Sequence, residues 1–134
     1  MSDRDEIVEK INLYALAVDA QAWDLFDRIF KADFGAFHAP FDATQHMMMN
    51  HQVAVIDTHN ARSLTYGSWR LVRYAAADAQ ALGPLWDGTG WDDDQWVKTN
   101  SGSQSARRSC PVIWFTATPG VKVPLPGVTF DTVL

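Results

Sequence analysis

Cysteine is nearly absent from the chain. Cys110 is the only one in 134 residues, so no internal disulfide can form, and a reducing, cytoplasmic setting is expected. No unbroken run of about 18 apolar residues occurs, which leaves no candidate membrane helix. The opening MSDRDEIVEK is charged where a signal peptide is apolar. Clustered cations are missing too: the arginines at 62, 70, 73, 107 and 108 are scattered among acids and aromatics, and the formal net charge is -5. Because phosphate binding depends on clustered cations, nucleic acid is not expected as a main partner. There is no phosphate-cradling glycine loop, no nucleophile elbow, and no histidine pair at zinc spacing with a third ligand beside it. Neither a cofactor nor a metal is expected.

What is present is a 47% apolar fraction with 12% aromatics, enough to build a core and inconsistent with a disordered chain. The length predicts one domain over residues 1–134. Ile7, Ile11, Tyr14 and Val18 recur at helical spacing, which predicts an amphipathic helix over 5–18 with Ser2 and Asp5 as its capping pair. A second helix is predicted over about 21–31, with Trp23, Phe26 and Phe30 on one stripe. From residue 44 the texture changes to alternating, strand-like runs: THNARSLTYGSWRLVR, GTGWDDDQWVKT and ARRSCPVIWFTA, with NSGS at 100–103 as a hairpin turn. Helices followed by an antiparallel sheet indicate an α+β fold in which the helical pair covers one face of a curved sheet. The proline-rich residues 119–134 read as an extended arm.

Several side chains are candidates for chemistry. Asp19 falls at the border of the first helix's apolar face, so its carboxylate either points inward as an acid or base, or caps the second helix. His46, in the segment FDATQHMMMNHQV, carries the side chain whose ordinary pKa lies closest to neutrality, and an orienting carboxylate would fix its tautomer. The alternative is a histidine merely satisfied within the sheet. Tyr14 lies about 140° around the helix from Asp19, either as a hydrogen-bond donor to substrate or as core. Met47, Met48 and Met49 cannot all face one side of a strand, and methionine suits both packing and adaptable pockets. His38, His51 and His59 are weaker candidates, with His51 expected to face away from His46. In the run Asp92, Asp93, Asp94, alternation sets Asp93 opposite its neighbours, and a solvated face is expected.

The segments INLYALAVDAQAWDLFDRIF, ADFG, FHAPFDATQHMMMNHQV, LTYGSWRLVR, WDGTGWDDDQWV and ARRSCPVIW together resemble the SnoaL-like branch of the nuclear-transport-factor-2-like superfamily, which includes scytalone dehydratase and bacterial bile-acid dehydratases. The likeness extends over roughly residues 5–118. It implies a cone: a strongly bent sheet, antiparallel or mixed, wrapped around N-terminal helices and enclosing an apolar pocket. It also implies that Asp19 pairs with His46 and that Tyr14 assists, a catalytic trio for cofactor-independent acid–base chemistry. Trp23, Phe26, Met48, Tyr66, Trp69, Trp91, Cys110 and Val112 are the expected substrate-binding residues.

Three features depart from the resemblance. A single alanine joins ADFG to FHAPFD where relatives carry a further helix. Pro111 interrupts a strand-like run, where proline is expected only at an edge or bulge. Ser103 and Ser105 replace larger apolar residues. The expected activity is that of a lyase or isomerase acting on a small hydrophobic carbonyl compound, polyketide-, steroid- or aromatic-like. Alternatives are a non-catalytic module for hydrophobic ligands, a laboratory-modified scaffold, and a structural subunit of a ring-hydroxylating oxygenase. A homo-oligomer is expected, a dimer ahead of a trimer, with Trp86, Trp91, Trp96 and Trp114 as contacts.

Overall fold

The structure, a computed structural model, describes residues 1–31, 43–72 and 85–117. The first helix, α1, spans Asp3–Asp19. Ser2 starts it: its Oγ accepts from the Asp5 backbone N–H at 3.1 Å and donates to the Asp5 carboxylate at 2.6 Å. Acids in the first turn favour the same end through the helix dipole. Ile7, Ile11, Tyr14, Ala17 and Val18 are buried along one stripe and form the core with Phe26, Ile29, Phe30, Ala61 and Trp96. Full burial of an aliphatic side chain such as Ile11 contributes about 1.5–3 kcal/mol relative to exposure.

The second helix is shorter and tighter than its periodicity predicts. Gln21 takes a positive φ of 55° after α1, and a 3-10 helix follows over Trp23–Arg28 with no side-chain cap. Beyond it the backbone is claimed by the sheet: Ser105 N–H donates to the Ile29 carbonyl at 2.7 Å, and Lys31 N–H donates to the Ser105 carbonyl at 3.0 Å. Bonds that would extend a helix go instead to a strand.

Among the described residues the sheet has five strands: β1 Ala43–Val55, β2 Asn60–Val72, β3 Leu85–Thr99, β4 Gly102–Ser109 and β5 Val112–Ala117. All pair antiparallel in the order β1-β2-β3-β4, with β5 also on β3. The run ARRSCPVIWFTA is therefore two strands and not one. It breaks at Cys110 and Pro111, so that β4 pairs with Asp93–Thr99 and β5 with Trp86–Gly90 of the same neighbour. Pro111 has no N–H to give a ladder, but its carbonyl accepts from Trp91 N–H at 3.0 Å. The predicted turn at 100–103 joins β3 to β4. The fold is thus α+β, with α1 across β1 and tied to β4, where Glu6 accepts from Ser103 N–H at 2.9 Å.

Two irregularities decide which side chains turn toward α1. In β1 the register shifts between Met49 and Gln52, where Asn50 has φ 53°. The shift restores His51 to the inner side, where its Nδ1 lies 3.3 Å from the hydroxyl of the buried Thr65; the expectation that His51 faces away from His46 is corrected by this bulge. In the β3–β4 pair the register shifts at Gln95/Trp96, and Arg108 turns inward while Arg107 stays exposed.

Gly90 is where β3, β5 and an indole meet. A Cβ there would stand 2.6 Å from the Pro111 carbonyl oxygen and 3.2 Å from Trp69. Gly90→Ala is expected to destabilise the fold by about 1–3 kcal/mol through overpacking, read as a lower denaturation midpoint at unchanged m-value.

Candidate functional site

Asp19 is the last residue of α1, and its carboxylate meets the start of β1. It accepts three hydrogen bonds: from Thr44 Oγ1 at 2.9 Å, from His46 backbone N–H at 2.8 Å, and at 2.9 Å from His46 Nδ1. None of these goes to the following 3-10 helix, whose start at Ala22 has no side-chain cap. The capping alternative for Asp19 is therefore corrected. With a carboxylate as partner, Nδ1 carries a proton, so acid–base exchange of the ring falls to Nε2. The His46 side chain is 7% exposed and that of Asp19 27%, so the pair sits at the boundary of the interior.

Around it stand aromatic walls. The Tyr14 ring lies 5.6 Å from the His46 ring, edge to face, and 5.7 Å from Phe30. Burial raises the Tyr14 phenol well above its ordinary range, so it keeps its proton. Trp69 is the direct cross-strand partner of His46 and is buried over Gly88 and Gly90. Such partners share a face of the sheet.

A second polar group lies behind Tyr14, and its residues were missed as site candidates. Arg108 Nε and Nη2 each donate to Asp94 at 2.9 Å, a two-pronged pairing, while Nη1 lies 3.1 Å from Asp92 Oδ2 as an ion pair without hydrogen-bond geometry. Ser105 Oγ donates to Asp94 at 2.7 Å. The guanidinium carbon sits 4.2 Å above the centre of the Tyr14 ring and 5.0 Å from that of Phe30. Asp92 and Asp94 are 7% and 0% exposed, so the expected solvated face is corrected: only Asp93 points out, to Arg62. Alternation separated Asp93 from its neighbours, but it could not say which side was the interior. The available signal was an acid pair at strand spacing opposite an arginine pair on the next strand.

Burial opposes Arg108's charge, but Asp92 and Asp94 outweigh it and raise its pKa. Burial raises the Asp92 carboxyl; Arg108 pulls it back, and Asp94 pushes it up further. The folded chain therefore holds this proton to higher pH than the unfolded chain does. Its contribution to stability is complete below the ordinary carboxylate value and is lost as pH rises through the raised one. Asp92→Asn, neutral at every pH, should flatten the decline of melting midpoint that sets in as pH rises from about 4, the ordinary Asp value, through the raised one. Thermal unfolding across that range is the check.

The other predicted residues divide. Phe26 and Cys110 are buried, Trp23 and Met48 pack against the core, and Val112 pairs with Gly90 at the end of β5. Tyr66 and Trp91 do not join the site. They are cross-strand partners on the outer face, rings 5.8 Å apart edge to face, because odd-numbered positions of β2 and even-numbered positions of β3 are the ones facing α1. Trp86 and Trp96, expected at a subunit contact, are buried at 0% and 1% exposure. Ser103 and Ser105 fill their apolar-type positions by bonding Glu6 and Asp94. His59 lies in the β1–β2 turn, and His38, the alanine junction at 36 and the arm at 119–134 fall outside the described residues. Among the described residues no three His, Cys, Asp or Glu side chains converge as a metal site, and no helix is long and apolar enough to cross a membrane.

No protein-family model matches the chain, and no curated protein does. Solved structures do. A protein from Kribbella flavida, Kfla4162, is 23% identical with a TM-score of 0.73 over 85% of this chain and 93% of its own. A Novosphingobium aromaticivorans protein assigned as a scytalone dehydratase is 15% identical with a TM-score of 0.69, covering 88% and 92%. A nuclear transport factor 2-like superfamily protein from Salmonella enterica is 18% identical with a TM-score of 0.64, covering 81% and 91%. The helix followed by an open antiparallel sheet is the nuclear-transport-factor-2-like fold.

Proposed function

We propose that the chain is a cofactor-independent lyase or isomerase acting on a small hydrophobic carbonyl compound. The observation that carries this reading is the 2.9 Å contact between Asp19 and His46 Nδ1, which presents Nε2 as a general base. Nε2 takes a proton from the carbon beside a carbonyl, and Asp19 stabilises the resulting imidazolium. The electron pair of the broken C–H bond moves onto the carbonyl oxygen as an enolate. The protonated Tyr14 phenol, beside the His46 ring, donates to that oxygen. Collapse of the enolate then either expels a hydroxyl from the next carbon, which leaves as water on taking a proton, or returns the proton elsewhere and shifts a double bond.

The likeness to a protein assigned as a scytalone dehydratase fits this class of reaction and does not choose the substrate. The test is product formation from a panel of cyclic β-hydroxy-ketones, followed as enone absorbance. Appearance of enone with the parent protein supports the proposal. Ligand binding without product, unaltered by Asp19→Asn and His46→Ala, would favour the non-catalytic module.

A further inference from the structure

Trp69 carries a hydrogen-bond donor that the fold leaves unused. The residue is 6% exposed, and among the described residues no acceptor lies within hydrogen-bond reach of its Nε1–H. A buried indole N–H is normally paired. Trp96 shows the usual case in the same sheet, where its Nε1 donates to Ser63 Oγ at 2.8 Å. Two glycines in β3 make room for the Trp69 ring: a Cβ at Gly88 would stand 2.9 Å from Cζ2, and one at Gly90 3.2 Å from Cη2. Glycine weakens a strand, so the seat and the unpaired donor both cost stability. That cost falls beside the base. Trp69 is the direct cross-strand partner of His46 and shares its face of the sheet, while Tyr14 reaches the His46 ring from α1. Two donor-bearing rings, a phenol and an indole, thus border one imidazole from different elements.

We propose that Trp69 is a substrate-binding residue whose Nε1–H receives a second oxygen of the substrate, the hydroxyl on the β-carbon. This rests on the reading of His46 as base and deepens it: the substrate is a β-hydroxy-ketone and not a simple ketone, and the reaction is elimination and not double-bond migration. With the α-carbon at Nε2 and the carbonyl oxygen at Tyr14, the β-carbon is the α-carbon's other neighbour, and its hydroxyl is the group left for the indole. As the enolate collapses, the bond from the β-carbon to the hydroxyl oxygen breaks and its electron pair stays on that oxygen. The oxygen takes the proton held on His46 and leaves as water. The indole is a donor only and keeps its own proton throughout. Its hydrogen bond strengthens as negative charge develops on the departing oxygen.

Two reactions on one ring skeleton test this: enone formation from 3-hydroxycyclohexanone, followed by absorbance, and α-deuterium uptake by cyclohexanone in D₂O, followed by proton NMR. In Trp69→Phe the ratio of elimination to exchange should fall about ten- to a hundredfold against the parent, the range for a hydrogen bond to a group developing charge. A ratio kept at the parental value in the folded variant overturns the role of Trp69 and leaves His46 as base, as does a parent that exchanges cyclohexanone but forms no enone. A parent that performs neither reaction overturns both. Should Trp69→Phe fail to fold, dissociation constants of the two ketones for His46→Ala, which lacks the base, decide. The hydroxy-ketone is expected to bind about three- to tenfold more tightly, and equal or weaker binding overturns the proposal.

Discussion

His46→Ala should lower kcat by about 10²–10⁴-fold, the range contributed by a positioned general base, while KM changes little. That split identifies an interaction made in the transition state and not in the ground state. Asp19→Asn should fall between the parent and His46→Ala. The amide can accept from Thr44 and the His46 backbone but carries no charge to stabilise an imidazolium, and its NH₂ group can reverse the tautomer by donating to Nδ1. Steady-state kinetics on one β-hydroxy-ketone, with circular dichroism to confirm folding, separates the three proteins. Equal kcat values across them would remove His46 from the chemistry.

Arg108→Met should cost about 3–5 kcal/mol, since removing one partner of a buried ionic group leaves the other charge uncompensated. For a chain of 134 residues this is a fall in melting midpoint on the order of 10 °C. Two carboxylates face the vacated position, Asp94 with no exposure at all. With the guanidinium gone, protonation of Asp92 removes part of the uncompensated charge, so the variant's deficit against the parent should shrink as pH falls toward the ordinary carboxylate range. Arg108→Met/Asp94→Asn should recover part of the loss at neutral pH. Thermal melts of the single and double variants check both statements. Loss of the guanidinium also removes a cation from the face of Tyr14, so a drop in turnover among the molecules that remain folded is expected as well.

Much of this arrangement was legible in the sequence, and the residues that were not have physical reasons. The spacing of Ile7, Ile11, Tyr14 and Val18 fixes the face of α1, because a helix has one period and one core to turn toward. The Asp19–His46 contact comes from the family resemblance; spacing alone favours a cap. Strand alternation gave the two sides of β3 correctly but not which side faces α1, so Asp92 and Asp94 were assigned to solvent and Tyr66 and Trp91 to the site. The arginine at the buried position is chosen by a register shift opposite Gln95 and Trp96, and the inward return of His51 by a positive-φ asparagine at 50. A bulge moves every later side chain to the other face, and neither bulge has a glycine to announce it. The 3-10 segment was overlong in prediction because its last bonds go to Ser105, more than seventy residues away in sequence, a tertiary competition that local periodicity does not contain.

Proton removal beside a carbonyl can be watched without knowing the leaving group. With 2-tetralone in D₂O, proton NMR follows loss of the α-hydrogen signal as deuterium enters. The parent should accelerate that exchange above buffer alone, Asp19→Asn should do so weakly, and His46→Ala not at all. Exchange at the parental rate in His46→Ala, or no acceleration by the parent, would contradict a base at Nε2 held in place by Asp19.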